Sequence, residues 1–407
     1  MRVFLSTVGT RGDVEPYLAL AKGLQRAGHD VVLSSARRFA PVADAHGVPY
    51  APTTDALLEV MDLPVAREAL ESLTNAAEAV RQSWRLIGVV GPIQKTLVDE
   101  SWAAAQAARP DVVVYHPKAF WGPSFAAALG ARAVFAPLQP FFVPTAERPV
   151  PLLPTVPIPG FNRLTYRLVG RGIAASARRY LTDWRRATGA EIPSGPVPTV
   201  HGFSRHVVPE PTDWPGWAAT AGYWFLDADA PLDPALAAFL GAGPPPVYVG
   251  FGSMTGRDAG ETTRTVVEAV RATGVRAVLA SGWGGLAEAT GDDLFTIGGA
   301  PHHALFPRCA AVVHHGGAGT TAAGLRAGRP TVVVAHFGDQ PYWGRRVHAL
   351  GVGPAPLLKK RLTAPQLVAA ISAATTDDAM RRRAEALGKR LRAEDGVGVA
   401  VRAIEAA

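Results

Sequence analysis

The run His314-His315-Gly316-Gly317-Ala318-Gly319-Thr320-Thr321 joins an apolar stretch, AAVV, to a helix-like one, AAGLRAG. Glycines at three of these positions let the backbone approach a ligand closely. A helix starting here offers N–H groups without internal acceptors, together with the positive end of its dipole. That combination suits a phosphate or diphosphate. Thr320 can add a hydroxyl and His315 an imidazole donor. Neighbours in an extended chain point to opposite faces, so only one of the two histidines can face such a ligand. No Gly-Lys-Ser/Thr follows, which excludes a Walker P-loop. After the next apolar run, PTVVVAHF, come Asp339 and Gln340. A carboxylate beside an amide offers acceptors and donors together, which suits the hydroxyls of a sugar. The structural alternative is helix capping by Asp339 before Pro341.

A second constellation is Gly9-Thr10-Arg11-Gly12-Asp13, after the strand-like RVFLST. The full GxGxxG fingerprint is missing, and Asp13 would repel a pyrophosphate at the helix start. The next strand ends at Ser34–Ser35 with Arg37 and Arg38 and no acid, so the ribose partner expected for NAD is missing; the arginines would suit NADP, but the reading as a whole argues against a nicotinamide dinucleotide. Asp13 is then either a helix cap or a general base facing a cleft. Two further loops, Gly250–Met254 and Ser281–Gly285, also follow strand-like runs. Asp227-Ala228-Asp229 has the spacing some sugar transferases use for a divalent metal, but it lies between domains rather than at a strand end. No zinc-ligand spacing occurs. The single cysteine, Cys309, reads as a small buried hydrophobe.

These residues need a frame. Apolar strands alternate with helices twice along the 407 residues, as in parallel sheets covered on both faces. The expected fold class is α/β, with two Rossmann-like, doubly wound parallel-sheet domains facing across a cleft. The expected boundaries are an amino-terminal domain at 1–210, a linker at 211–233 and a carboxy-terminal domain at 234–407, its last helix able to pack back on the first domain. PYLALAKGLQRAG reads as a helix with Pro16 in its first turn. The proline-rich stretch 141–161 is too long for a plain connection and reads as part of a pocket wall, with a surface loop as the alternative. Aromatics from Phe120 to Phe142, with Trp84, Trp102 and Trp121, suit a greasy pocket; ordinary core is the alternative for each. Net charge is +7. The arginines sit in helix-like segments, such as Arg178–Arg179, Arg185–Arg186, Lys359–Arg361 and Arg381–Arg383. Solvated helix faces explain them, and a weak membrane-surface contact suited to a lipid-like ligand is the sharper reading. No nucleic-acid module is recognisable. No apolar run reaches the length of a membrane span, and the expectation is a soluble, cytoplasmic protein.

The chain resembles the inverting, GT-B-fold glycosyltransferases of the UDP-glycosyltransferase superfamily, in particular the sterol-glucosyltransferase-like branch related to the glycopeptide-antibiotic glycosyltransferases. The stretches that carry the resemblance are STVGTRGDVEPYLALAKGLQRAGHDV, YHPKAFWGPSFAAALG, GFGSM, SGWGG and PHHALFPRCAAVVHHGGAGTTAAGLRAGRPTVVVAHFGDQPYWGRRV. The resemblance implies a metal-independent hexosyltransferase with a nucleoside diphosphate sugar as co-substrate and no cofactor. It implies a hydrophobic hydroxyl acceptor such as a sterol, hopanoid or polyketide. By position it makes Asp13 the base, preceded by the loop Gly9–Gly12. Ser253, His315, Gly317, Ala318, Gly319 and Thr320 fall on the diphosphate contacts, and Asp339 and Gln340 on the donor sugar. Trp283, Ala300, Pro301 and His302 fall beside the base and ribose. Ala323 replaces the glutamate that plant members place on the ribose, so UDP and dTDP stay open. The alternatives are a nucleotide-sugar 2-epimerase and a binding protein without turnover.

Overall fold

The computed structural model describes residues 1–62, 76–150, 153, 156–190, 195–226, 231–251, 259–281 and 291–407. The chain divides into two compact units, Met1–Leu226 with Asp395–Ala407, and Asp227–Glu394.

The first unit is built on seven strands: β1 (Arg2–Ser6), β2 (Asp30–Ala36), β3 (Tyr50–Thr53), β4 (Val112–Tyr115), β5 (Arg132–Phe135), β6 (Thr199–His201) and β7 (Ala218–Thr220). They pair in parallel in the order β3-β2-β1-β4-β5-β6-β7. The helices between them are α1 (Arg11–Arg26), α2 (Ala40–Ala45), α3 (Ala56–Asp62), α4 (Ala76–Ala108), α5 (Gly122–Leu129) and α6 (Phe161–Thr188). Side-chain alternation along β1 divides the core. Val3 and Leu5 pack with Val14, Leu18, Ala21 and Leu24 of α1, whereas Phe4 faces Leu97 and Val98 of α4 and Phe125 of α5. Burying each such leucine or valine stabilises the fold by roughly 1.5–3 kcal/mol. Segment 211–226 is not a linker: it carries β7 and buried Trp224.

The second unit is a six-stranded sheet of β8 (Val247–Gly250), β9 (Ala277–Ala280), β10 (Leu294–Ile297), β11 (Ala311–His314), β12 (Thr331–Ala335) and β13 (Leu357–Leu358). Its order is β10-β9-β8-β11-β12-β13, again all parallel. Its helices are α7 (Pro234–Gly241), α8 (Ala259–Thr273), α9 (His302–Leu305), α10 (Ala318–Arg326), α11 (Gln340–Ala349), α12 (Ala364–Thr376) and α13 (Asp378–Ala393). Val247, Val249, Val313 and Val332 pack under α8 and α12; Tyr248 and Val312 pack with Leu236 and Leu240 of α7 on the opposite face. The last helix, α14 (Gly396–Ala406), belongs to the first unit, where Ala400, Val401 and Ile404 join the core under α1.

Each sheet reverses its strand order once, at β1/β4 in the first unit and at β8/β11 in the second. In doubly wound sheets ligands collect beyond the carboxyl ends of the strands at such a reversal. Among the described residues, no helix is long and apolar enough to cross a membrane.

Candidate active site

In the first unit, α1 starts at Arg11 rather than at Pro16, so Asp13 stands in its first turn. Pro16 is tolerated inside the helix although it removes one backbone donor. The Asp13 side chain turns back on the helix start. Its Oδ2 accepts hydrogen bonds from the Thr10 amide at 2.8 Å and from Lys118 Nζ at 2.9 Å. A Cβ at Gly9, where φ is +140°, would lie 2.1 Å from that Oδ2 and 2.8 Å from Lys118 Nζ. Glycine at position 9 is therefore what leaves room for the carboxylate–ammonium pair.

His116 and Lys118 follow β4, the neighbour of β1 at the strand-order reversal, with Ser6 opposite Tyr115 in register. Neither is singled out by the sequence. The only signal is a His-Pro-Lys at the end of an apolar strand, and its value depends on the strand order. The Lys118 amide donates to His116 Nδ1 at 3.3 Å, which assigns the proton of a neutral ring to Nε2. That Nε2 stands 3.4 Å from Asp13 Oδ1, close but not aligned as a hydrogen bond. Burial lowers the His116 pKa to about 3, so the ring is neutral and offers Asp13 a dipole rather than a charge. Burial alone would push the Asp13 carboxyl up. The Lys118 charge and the hydrogen bonds from Lys118 and the Thr10 amide outweigh it and hold the group below its ordinary value. The carboxylate is thus buried, ionised and near the positive end of α1.

Tyr115 and Pro117, on either side of His116, also line an apolar cavity of about 280 Å³ with Phe120, Phe135, Phe141, Phe142, Tyr166 and Ile173. The proline-rich stretch therefore supplies wall residues at its start. Trp121 and Trp102 do not line it. Trp121 is fully buried, with Nε1 donating to Ser6 Oγ, and Trp102 packs on Trp184 and Phe125. The Trp84 side chain lies outside the described residues.

In the second unit the glycine loop follows β11. Gly316 has φ +89°, and its amide donates to His314 Nδ1 at 2.9 Å. His314 is thereby the inward member of the pair, fully buried and held neutral well below its ordinary pKa. His315 faces the loop: a Cβ on Gly317 would lie 2.5 Å from its Nε2. Burial lowers the His315 pKa to about 4. Gly317 caps α10, so the amides of Ala318, Gly319 and Thr320 have no acceptor within the helix. Thr321 is the buried anchor, its amide and hydroxyl both donating to the Gly317 carbonyl at 2.9 Å.

Gln340 packs against this loop; a Cβ on Gly316 would meet its carbonyl oxygen at 3.1 Å. Gln340 is buried and its Oε1 accepts from the His336 amide at 2.7 Å. Asp339 sits at the N-cap of α11 without a side-chain cap; instead its Oδ2 accepts from Trp343 Nε1 at 2.8 Å. Ala300 and Pro301 lead into α9, where the His302 ring stacks on Phe306 at 4.3 Å and meets the edge of Tyr248. Ser253, Trp283 and Asp227–Asp229 lie outside the described residues. Among the described residues no cluster of three or more His, Cys, Asp or Glu could hold a metal. Cys309 is buried and donates to the Leu305 carbonyl, with its thiol pushed up to about 12 by burial.

Residues 3–126 match the Glycosyltransferase family 28 N-terminal domain, and residues 278–398 match the Erythromycin biosynthesis protein CIII-like C-terminal domain. A sterol 3-beta-glucosyltransferase of Arabidopsis thaliana is 34% identical over 98% of this chain and 67% of its own length. One of Emericella nidulans is 35% identical over 99% of this chain. The chain spans about two thirds of the plant relatives and 30% of that fungal one. The calicheamicin glycosyltransferase CalG4 superposes with a TM-score of 0.72 at 20% identity, covering 100% of this chain and 98% of its own. The glycosyltransferase VinC, solved in complex with dTDP, superposes at 0.68 and 21% identity with full coverage of both chains. The chain belongs to the UDP-glycosyltransferase superfamily, in the branch that includes the sterol glucosyltransferases, and its fold is GT-B.

Proposed function

We propose that the protein moves a hexose or deoxyhexose from a UDP- or dTDP-linked donor to a hydroxyl of a hydrophobic small molecule, with inversion at the anomeric carbon. The observation that carries this reading is the buried Asp13 carboxylate, held by Lys118 and facing His116, whose sequence neighbours Tyr115 and Pro117 line an apolar cavity. In the reaction Asp13 takes the acceptor hydroxyl proton as the oxygen bonds to the anomeric carbon. The bond from that carbon to the diphosphate breaks, and an α-linked donor gives a β-glycoside. The leaving diphosphate gains negative charge, which the amides of Ala318, Gly319 and Thr320, the α10 dipole and the His315 N–H stabilise. Asp339 and Gln340 read the donor sugar. The dTDP complex of VinC and the sterol-glucosyltransferase relatives support this division between nucleotide and apolar acceptor. An epimerase takes no acceptor and would have no use for the apolar cavity that Tyr115 and Pro117 line.

Asp13→Asn tests the base. Proton abstraction by a positioned side chain contributes about 10²–10⁴-fold, so transfer from UDP- or dTDP-glucose to a sterol or polyketide alcohol should fall by that factor. Nucleotide affinity, measured by calorimetry, should stay unchanged. Transfer at the wild-type rate by the asparagine variant would refute the assignment.

A further inference from the structure

Between Glu147 and Asp183 the chain carries six arginines and no carboxylate. This segment also holds most of the large apolar side chains exposed on the described surface: Leu153, Ile158, Leu164, Leu168, Val169 and Ile173. Helix α6 organises them. Tyr166, Val169, Gly170, Ile173 and Ala177 line the cavity, at spacings that place them on one side of the helix. Leu164 and Leu168, 46% and 56% exposed, are one turn apart on the opposite side. Arg167, Arg171 and Arg178 lie to one side of these leucines on the helical wheel, and Arg179 to the other. Arg163 pairs with Asp213 at 2.8 Å. Among the described residues no carboxylate lies within ion-pair distance of Arg167, Arg171 or Arg178.

The leucine pair is apolar and the arginines beside it are cationic. Together they fit a surface whose interior is apolar and whose rim is anionic. We propose that this face of α6 docks on an anionic phospholipid leaflet, with Leu164 and Leu168 entering the acyl boundary and the guanidinium groups bonding lipid phosphates. Long arginine stems reach outward to the headgroups while the leucines insert. The cavity lies on the other side of the same helix, and half-exposed Val169 and Ile173 are part of its wall. A bilayer-dissolved acceptor would reach the cavity around α6; that consequence rests on the proposed transferase reading, whereas the docking face does not.

The test is flotation of the full chain with vesicles of phosphatidylcholine alone and of an equimolar phosphatidylcholine–phosphatidylglycerol mixture, at low and high salt, without donor or acceptor. Each arginine near an anionic leaflet is worth about fivefold in affinity. Binding to the mixed vesicles, weakened by salt and reduced at least about tenfold by Arg167→Gln with Arg171→Gln, is the expected result. Leu164→Gln with Leu168→Gln should weaken it as well. All four side chains are exposed, so unchanged thermal melting of both double variants serves as the folding control. Lack of binding to the mixed vesicles, or binding that both variants retain, would overturn the proposal. So would a dimer abolished by the leucine variant without any vesicle binding, which would assign the face to a second copy. Because no transfer is measured, failure here leaves the Asp13 reading standing, and failure of Asp13→Asn leaves this one standing.

Discussion

At the scale of single residues, the base and its partners pull against one another. Asp13 must accept a proton, yet Lys118 keeps its carboxyl below the ordinary range while burial opposes that. The Lys118 side chain is 52% exposed and long, so it can leave Oδ2 when an acceptor hydroxyl arrives. Loss of the ammonium would let burial dominate and make the carboxylate a stronger base. Lys118→Met should therefore move the acid limb of the kcat/KM pH profile upward, because that limb reports the free enzyme's base. A profile that does not move would remove Lys118 from this role. Asp13 was legible in the sequence because an acid in a glycine-rich turn before a helix is unusual enough to question. The two readings of it, helix cap and base, are not exclusive: Oδ2 accepts from the Thr10 amide while Oδ1 faces His116. His116 and Lys118 were not legible, since no local pattern reports that β4 ends beside β1 more than a hundred residues away.

At the scale of elements, the glycine loop shows which glycines build the fold and which leave space for a ligand. Gly316 is in the left-handed region, and a methyl there would stand 2.6 Å from Val333 Cγ1. The left-handed strain costs about 1–2 kcal/mol and overpacking about 1–3 kcal/mol, so Gly316→Ala should lower the stability of the second unit by a few kcal/mol in denaturant melts. Gly319 has open space around its Cβ position and is helical. Gly319→Ala should melt like wild type or slightly higher, the helix gaining up to about 1 kcal/mol, while UDP and dTDP affinity falls because the methyl stands among the loop amides. Equal affinity would mean that the diphosphate does not lie there. The same loop shows what sequence can and cannot give about elements. Apolar strands and their alternation with helices were readable from composition and period. The start of α1 was not, because Pro16 suggests a first turn while the chain has begun the helix at Arg11. Nor was β7, three residues long among prolines and tryptophans, too short to show a period.

At the scale of the whole molecule, the two units share a strand-order reversal and a habit of burying neutral histidines in or just after their strands. His116 and His201 in the first unit are lowered to about 3. In the second, His336 is lowered to about 3, His315 to about 4, and His314 well below its ordinary value. Burial is the first cause in every case. In the unfolded chain each titrates near 6.5. Between about pH 6.5 and pH 4 the unfolded state therefore binds more protons than the folded state, and stability rises with pH. Acidification through that window removes stability at about 1.4 kcal/mol per pH unit for each such histidine. With three of them the second unit should lose about 4 kcal/mol per unit of pH, against about 3 kcal/mol for the first with two. Calorimetry from pH 7 to pH 5 should show the melting temperature falling, with the transition of the second unit falling faster. Addition of UDP or dTDP should blunt the drop in the second unit alone, since a bound diphosphate beside His315 favours its protonated ring. A melting temperature independent of pH across this window would mean that the histidines take up protons while folded, and that their burial in both units is looser than the packing around them indicates.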